Sequence, residues 1–463
     1  MASWRIRRPP EWGIDPVPPA MRTLRAFDLF VLWSSLGIGL LVLAAGALLV
    51  TGFGLTLEQT FLVAILGSVI GSALLAAAAH HGSQAGVPTM VSLRPILGRG
   101  GSYLPSGLNV MQLLGWTAFE FVVMGDATAL LLHNPLGPWS AAVFVPLWGG
   151  LTAVLALYGP LAVVRDWLER FAIWLVYAST AAIALALALH GLNPVLRPAP
   201  VAGNFAGAGS LFLSLDLVVA MPISWWPLIS DYNRFARDAK ASALGTGIGY
   251  AVANTAFYVL GAALVIFGIT AFGLDPSDST GFLLAMGLLG LSVLPLIVIL
   301  VDETDNAFAD VYSAAVSVQN LVPRWRQAGT IIAATIVGIV VAWSLIGTGQ
   351  SLNGIYEIFL LLIGGLFVPL LGVVIADSFV VRRFIRRESY KPEEFFEAVA
   401  RISWTAYAGW LPAAALYFGI VTLQIPIGAT LPSLFFAMGL YTFLSYVETV
   451  RHSRAERAAV PNP

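Results

Sequence analysis

The chain has 463 residues, of which 58% are hydrophobic and only 11% are charged, whereas an ordinary soluble domain is roughly 25% charged. Together with a mean hydropathy of +0.84, this composition excludes a water-soluble protein with a polar surface. Lys and Arg number 24 against 25 Asp and Glu, so no charge excess points to nucleic acid as a partner. The absence of cysteine excludes disulfides and thiolate metal sites. The expected surroundings of the chain are therefore the lipid bilayer.

Twelve apolar runs are long enough to cross the hydrocarbon core, which takes about 20 residues of helix. They lie near 28–50, 58–79, 106–132, 139–158, 167–190, 209–230, 243–271, 282–317, 328–347, 354–380, 405–423 and 428–448. Many of these runs are apolar on every face, as expected of helices in lipid. The sequence therefore predicts an all-α polytopic membrane protein with 12 transmembrane helices.

The basic residues predict the orientation of these helices. When the N-terminal segment 1–27 is placed in the cytoplasm, 23 of the 24 Lys and Arg residues fall on the cytoplasmic side, and only Arg197 falls outside. Cytoplasmic loops of membrane proteins carry this excess of positive charge. We therefore expect a multi-pass protein of the cell (inner) membrane, with the N-terminus and the tail 449–463 both cytoplasmic.

Acidic residues lie inside several predicted spans, where a charge costs on the order of 3 kcal/mol and usually marks a functional site. Span 3 contains Glu120 and Asp126, span 6 contains Asp216, and span 8 contains the run 302–306 followed by Asp310. The sequence gives no role for Asp126 or Asp216. Alternatively, span 8 ends before the run, and its acids lie in a cytoplasmic loop.

Helical spacing sorts the acidic run of span 8 into two faces, because residues three or four apart lie on one side of a helix. One face carries Leu300, Glu303 and Thr304, and the other carries Asp302, Asp305, Asn306 and Ala309. We expect one face to hold a cation and the other a polar ligand. In span 3, Gln112, Trp116 and Glu120 follow at intervals of four. An aromatic plate between two hydrogen-bonding groups suits a flat heteroaromatic solute.

Two spans contain predicted helix breaks. Span 1 has Ser-Ser-Leu-Gly-Ile-Gly at 34–39, and span 6 has Met-Pro-Ile-Ser-Trp-Trp-Pro at 221–227. Discontinuous helices at corresponding positions of two halves indicate the midplane site of a transporter. Spans 1 and 6 are five helices apart and opposite in direction, as an inverted repeat requires. Alternatively, the glycines only permit close helix packing.

At these residues the sequence resembles the nucleobase–cation symporter-1 family, and within it the hydroxymethylpyrimidine permease branch. The resemblance is carried by Glu11-Trp12-Gly13-Ile14 with Pro16 to Pro18, Gly86-Val87-Pro88-Thr89-Met90, Gly115-Trp116 to Glu120, Asp231-Tyr232-Asn233-Arg234-Phe235 and Thr304 to Asp310. It implies a LeuT-type fold with inverted repeats at 28–190 and 209–380, followed by two C-terminal helices at 405–448. It also implies alternating-access symport of a nucleobase-like ring with Na⁺ or H⁺.

The resemblance further implies roles for individual residues. Trp116 matches the tryptophan that stacks on the substrate, Glu120 matches the polar residue one turn later, and Trp225 is assigned to the span 6 aromatic. The implied cation site comprises carbonyls near Gly37 and Leu40, the Leu300 carbonyl, and the side chains of Glu303 and Thr304. Glu303 stands where Ser or Thr is usual, so it is expected either to ligate Na⁺ or to carry the coupling proton.

The chemistry of the candidate ligands favours a basic ring. Glu120 and Asp305 supply acceptors for an amino group, with Gln112 and Asn306 beside them. We therefore expect a pyrimidine-type substrate, hydroxymethylpyrimidine, with a cytosine or purine permease as the alternative. A cation channel is the alternative from another class. An intramembrane enzyme is disfavoured because His80 and His81 are expected at a solvated helix end. No cofactor and no obligatory protein partner are expected.

Overall fold

The protein is described here by a computed structural model that covers residues 11–190, 209–275, 285–291, 293–348, 352–391, 393–396 and 402–459. Thirteen main helices account for most of these residues. They are α1 Ala26–Ser35, α2 Leu40–Thr51, α3 Leu57–Ala78, α4 Tyr103–Leu131, α5 Ser140–Tyr158, α6 Ile173–Leu189, α7 Ser210–Ile223, α8 Ala239–Phe272, α9 Leu294–Leu321, α10 Gln327–Thr348, α11 Leu352–Ala376, α12 Trp404–Thr422 and α13 Thr430–Ala459. Short helices at His80–Ala85, Thr89–Ser92, Arg94–Leu97, Ile229–Asn233 and Glu393–Phe396 connect some of them.

Three segments of the described residues are π-helical: Gly287–Leu291 lies before α9, and the other two, called here the first and second π-helix, continue main helices. Val163–Ala172 precedes α6, and Asp377–Arg386 follows α11. Both segments are more polar than the helices they extend. The apolar periodicity of the sequence predicted the helices but not this local change of winding, which occurs often at functional sites.

The structure confirms a mostly helical membrane architecture but not the exact count of 12 spans. Within the described residues, nine helices are long and apolar enough to cross a membrane, or ten if α1 and α2 form one bent span. Helix α9 contains four acids between Asp302 and Asp310, and a membrane helix is usually poor in such residues. Several predictions lie outside the described residues: the first three residues of span 8, and Arg5, Arg7, Arg8, Arg197 and Arg401.

The first predicted break is present. Helices α1 and α2 meet at an angle of 62° across residues 36–39. Within the described residues, no backbone amide donates a hydrogen bond to the carbonyls of Leu36, Gly37 or Ile38. Gly37 packs on α8, where an added Cβ would lie 3.3 Å from Cγ of Tyr250. The break therefore opens polar backbone at the centre of the molecule while its glycine also permits close packing.

The second predicted break is also present. Helix α7 contains Pro222 and ends at Ile223. A turn with one 3-10 segment, Trp226–Leu228, leads into the short helix Ile229–Asn233. The ladder continues past Pro222, because the Ser224 amide donates to the Ala220 carbonyl, but Pro227 has no amide hydrogen with which to extend it. Backbone from both breaks therefore lines the same interior region.

Most of the helices form three packed groups, and the interior region lies between the first two. In the first group, α8 packs along α1, α2 and α3, and α3 packs along α7. In the second group, α4 packs along α5, α9 and α10. Helices α11, α12 and α13 form a third set that packs mainly on itself. This arrangement places the broken helices of one group opposite the acids of the other.

Helix α9 runs without interruption through its acidic run. Asp302, Glu303, Asp305 and Asp310 are all at most 3% exposed. The alternative in which the span ends before these acids is therefore wrong. Their burial among helices means that each needs a hydrogen-bond donor, a proton or a cation.

Candidate functional site

A cavity lies between the two broken helices and the pair α4 and α9. It is lined by Leu36, Ile38, Gly39, Leu41, Val42, Gln112, Leu113, Trp116, Glu120, Met221, Ser224, Trp225, Leu228, Tyr250, Glu303, Asn306 and Asp310. The structure thus brings together five of the six residues predicted to bind substrate. Three carboxyl groups line the cavity, and none of these lining residues is Lys, Arg or His.

Two tryptophans provide flat apolar surface in the cavity. Trp116 packs edge-on against Phe359, with ring centroids 5.3 Å apart. Gly115 makes this packing possible, because a Cβ there would lie 2.5 Å from Phe359. Trp225 contacts Trp33 edge-on, with centroids 6.4 Å apart. Both indole rings are therefore held by neighbouring aromatic rings, which suits them to stack on a planar ligand.

Gln112 is oriented by a neighbour that the sequence did not single out. Its Nε2 donates to Oδ1 of Asn109 at 2.6 Å. Nδ2 of Asn109 in turn donates to the Pro227 carbonyl and to Oγ of Ser317. Asn109 is therefore a positioning residue that joins α4 to the second break and to α9. Oε1 of Gln112 has no hydrogen-bond partner within the described residues and is available to a ligand.

Glu120 and Asp310 form a carboxyl pair across the interface of α4 and α9. Their side chains lie within hydrogen-bond reach of each other, and they are 5% and 2% exposed. Asp310 was not among the predicted binding residues. The spacing of Glu303, Asn306 and Asp310 at intervals of three and four was the signal that could have found it, because this spacing defines one helical face.

Asp305 does not line the cavity, which corrects its predicted role in substrate binding. Its Oδ2 accepts a hydrogen bond from Oγ of Ser35 at 2.9 Å, and its Oδ1 accepts one from Nε1 of Trp167 at 2.5 Å. The sequence placed Asn306 on the same face of α9 as Asp305. In the structure, Asn306 instead lines the cavity together with Glu303, while Asp305 faces α1. Asp305 therefore fastens α1 and the first π-helix to α9.

The residues of the predicted cation site do not all point towards one common centre. Oγ1 of Thr304 donates to the Leu300 carbonyl at 2.6 Å. Glu303 faces the cavity and is hydrogen-bonded to the Asn306 side chain. Leu40 and Leu300 pack in one apolar cluster, whereas Gly37 packs on α8. No group of three His, Asp or Glu side chains within the described ranges is arranged to hold a metal ion.

Asp302 is a further acid at the first break. It is 1% exposed, and both of its carboxyl oxygens lack a hydrogen-bond partner within the described residues. An added Cβ at Gly39 would lie 3.1 Å from its Oδ2. Gly39 therefore leaves room for this carboxyl group beside the N-terminus of α2.

His80 and His81 do not form a solvated helix end, which corrects that expectation. His81 is buried, hydrogen-bonds with Ser378 through its Nε2, and contacts the ring of Tyr390. His80 is partly buried and packs against Phe379. Both rings thus belong to the contact between the end of α3 and the second π-helix.

The fold and the cavity together define a class of protein. A helical bundle with two broken helices around a buried polar cavity is the architecture of a polytopic membrane transporter. A family model described as permease for cytosine/purines, uracil, thiamine, allantoin matches residues 16–446. The chain belongs to this family of nucleobase–cation symporters.

Similar proteins include permeases from bacteria. The chain is 24% identical to the allantoin permease of Bacillus subtilis (strain 168), with 96% of each chain covered. It is 25% identical to the cytosine permease of Escherichia coli (strain K12), covering 82% of this chain and 84% of that one. The family and these relatives are transporters, not enzymes.

Solved structures of low sequence identity show the same fold. Mhp1, a nucleobase-cation-symport-1 family transporter in a closed conformation with bromovinylhydantoin bound, matches with a TM-score of 0.72 and 20% identity, covering 95% of this chain and 96% of that one. A Na⁺-coupled sialic acid symporter in a substrate-bound outward-open state matches with a TM-score of 0.65 and 13% identity, covering 96% and 92%.

Proposed function

We propose that the protein imports hydroxymethylpyrimidine, an aminopyrimidine precursor of thiamine, by ion-coupled alternating access. The observation that carries this proposal is the lining of the cavity, where Glu120, Glu303 and Asp310 stand beside Trp116 with no basic side chain among the lining residues. Carboxyl groups accept hydrogen bonds from an amino group, whereas the carbonyl oxygens of uracil or a hydantoin would face them unfavourably. The site therefore favours an amino-bearing ring.

The aromatic and polar residues of the cavity have separate roles in this proposal. Trp116 stacks on one face of the ring, and Trp225 closes the cavity from the second break. Glu120 and Asp310 accept hydrogen bonds from the amino-bearing edge. Gln112 and Asn306 contact the remaining polar atoms of the ring. Stacking on one aromatic residue contributes about 0.5–1.5 kcal/mol beyond area burial, so the polar edge decides which ring binds.

Coupling to an ion follows from the charge of the same region. A cation held near Glu303, Thr304 and the first break would fix α9 against α1 and favour the state that binds substrate. Sodium suits these oxygen ligands, and a proton on Glu303 is the other candidate. A symporter of similar fold, the sialic acid symporter, is Na⁺-coupled.

The membrane arrangement completes the proposal. The excess of Lys and Arg at alternate loops supports cytoplasmic termini in the inner membrane. Helices α1 to α6 and α7 to α11 correspond to two inverted repeats, 28–190 and 209–380, because the broken helices begin each half. Helices α12 and α13 follow as the additional pair.

Competition of uptake tests the proposed substrate. Cells that express the protein are given radiolabelled hydroxymethylpyrimidine together with an excess of unlabelled competitor. Hydroxymethylpyrimidine and other 4-aminopyrimidines are expected to abolish accumulation, while uracil and allantoin have little effect. Cytosine is the informative rival, because it also presents an amino group and the E. coli relative is a cytosine permease. Inhibition by uracil or allantoin but not by aminopyrimidines would contradict the proposal.

A further inference from the structure

The carboxyl pair of Glu120 and Asp310 has a chemical consequence for any ligand of the cavity. A carboxylate only accepts hydrogen bonds, so two carboxyl groups within hydrogen-bond reach of each other need a proton between them. Like charges at this separation cannot both be ionised without a compensating cation. Both side chains are almost fully buried, at 5% and 2% exposed.

The surroundings of the pair contain further acids. Glu303 and Asp302 on α9 are the other charged groups that act on Glu120 electrostatically, and Glu303 also acts on Asp310. On the remaining sides the cavity presents the amide of Gln112, the Trp225 ring and the Tyr250 hydroxyl. None of these groups is cationic. A ligand that enters the cavity therefore meets several carboxyl groups and no basic side chain among the lining residues.

We propose that Glu120 and Asp310 share one proton in the empty cavity and transfer it to a ring nitrogen of the substrate, which is then bound as an aminopyrimidinium cation. The O–H bond of the carboxylic acid breaks, and the lone pair of the ring nitrogen forms the new N–H bond. Two carboxylates remain, facing an N–H and an amino group that both donate. Charge-assisted hydrogen bonds of this kind are roughly twice as strong as neutral ones.

This inference rests on the proposed substrate class and adds a determinant of specificity to it. A 4-oxo ring of the same size has no strongly basic ring nitrogen and presents an acceptor where the amino group would donate. The pair would thus reject the oxo analogue for two reasons: the carbonyl oxygen of the ring faces a carboxylate, and no basic ring nitrogen takes up the proton. Asp310 thereby becomes as important to selection as Glu120.

The first experiment measures the protonation state of the bound ring. Hydroxymethylpyrimidine labelled with ¹⁵N at its ring nitrogens is bound to the purified full-length protein at a pH at which the free compound is neutral. We expect the ¹⁵N chemical shift of one ring nitrogen to move into the range of the protonated ring. A bound ligand whose nitrogens all keep the neutral shift would overturn the proposal.

Variants then test the two carboxyl groups. Asp310→Asn and Glu120→Gln are each expected to weaken binding of the amino compound about tenfold or more, the scale of one lost hydrogen bond to a charged group. Both are expected to leave binding of the 4-oxo analogue unchanged or improve it. Asp126→Asn is the matched control, because Asp126 lies on α4 with Glu120 but does not line the cavity. Equal loss for both compounds in properly folded variants would contradict the proposal.

An infrared measurement separates this inference from the proposed substrate. In the C=O stretching region of protonated carboxylic acids, the empty wild-type protein should show a band that is lost in Asp310→Asn and Glu120→Gln but kept in Asp126→Asn, while the bands of other buried acids persist in all three variants. If hydroxymethylpyrimidine does not bind, the proposed function fails, while the band still decides whether the shared proton exists. Absence of the band in the wild-type protein would overturn the carboxyl pair even if the compound binds.

Discussion

Asp216 shows how an acid within a membrane helix is stabilised without a basic partner. Its carboxyl oxygens accept hydrogen bonds from the amides of Ala429 and Thr430 at 3.0 and 2.9 Å, and from Oγ1 of Thr430 at 3.1 Å. These amides lie at the start of α13, where the first donors of a helix have no partner within it. Asp216 is therefore an N-terminal cap supplied by another helix.

Removal of this cap should lower stability and leave ligand selection unchanged. We expect Asp216→Ala to reduce the free energy of unfolding by about 1–2 kcal/mol, as for other lost caps. Asp216→Asn should lose less, because an amide oxygen still accepts one hydrogen bond. Thermal unfolding in detergent, with ligand affinity measured in parallel, checks both. A change of substrate preference at unchanged stability would show that Asp216 acts in binding instead.

Glu303 is the residue whose change should separate ion dependence from substrate choice. It faces the cavity, yet it stands at a predicted ion-binding position of α9. We expect Glu303→Ser to alter the Na⁺ or pH dependence of uptake while keeping the order of substrate preference. Glu120→Gln is the comparison variant, because it should alter substrate preference more than Na⁺ or pH dependence. Unchanged Na⁺ and pH dependence in Glu303→Ser would refute the ion-site assignment.

Helical spacing predicted the cavity residues of α4, and the family resemblance predicted Trp225. Gln112, Trp116 and Glu120 share one helix and one face, so their periodicity brought them together correctly. The choice between Asp305 and Asp310 depended on how α9 is rotated against α4, and one residue of rotation exchanges the two faces. That rotation is set by packing between distant segments, such as the hydrogen bond of Trp167 to Asp305.

At the scale of elements, glycines on both helices allow α2 and α8 to pack with their backbones in close contact. A Cβ at Gly261 of α8 would lie 2.0 Å from the Leu43 carbonyl oxygen, and one at Gly46 of α2 would lie 2.2 Å from that of Tyr258. The obstructing atoms are backbone, which cannot move aside as a flexible side chain can. Small residues at such positions let membrane helices approach closely.

A single methyl group should therefore separate α2 from α8. We expect Gly261→Ala to cost about 1–3 kcal/mol or more, the range for overpacking, and to lower both thermal stability and transport. Gly439→Ala on α13 is the matched control, because an added Cβ there meets no atom of the described residues within 4 Å. Size-exclusion profiles and thermal unfolding of the two variants provide the comparison. Equal behaviour of both variants would contradict close backbone packing at Gly261.

Helix positions were predictable because lipid requires long apolar runs, and α3, α5 and α10 begin and end within about one residue of their predicted runs. Both helix breaks were predictable from Gly and Pro. The first and second π-helices, Val163–Ala172 and Asp377–Arg386, were not, since their winding depends on partners elsewhere. Arg382 in the second π-helix, for example, pairs with Glu394 and Asp377, and its guanidinium lies over the ring of Tyr390.

For the whole molecule, the motif Asp231-Tyr232-Asn233-Arg234-Phe235 joins segments that are far apart in sequence. Asn233 accepts a hydrogen bond from Nε1 of Trp33. Arg234, fully buried, donates to the Gly13 carbonyl and to the Tyr312 hydroxyl, both at 2.7 Å. Tyr232 donates to the Ala309 carbonyl. These bonds tie the first helix group to α9 at one end of the cavity, a role that the motif alone did not predict.

For transport to occur, the contacts that these bonds make must open on one side of the cavity. In our proposal, this end of the molecule faces the cytoplasm, and release of substrate requires α9 to separate from the segment around Arg234. A channel would need no such closure. Saturable, gradient-dependent accumulation therefore distinguishes the transporter from the channel.

Uptake into proteoliposomes tests the central claim most directly. Purified protein is reconstituted, a Na⁺ or H⁺ gradient is imposed, and labelled hydroxymethylpyrimidine inside the vesicles is measured over time. We expect saturable accumulation above the external concentration, driven by one of the two gradients and abolished when that gradient is collapsed. Passive, non-saturating entry that never exceeds the external concentration, or accumulation of uracil or allantoin in its place, would contradict the account.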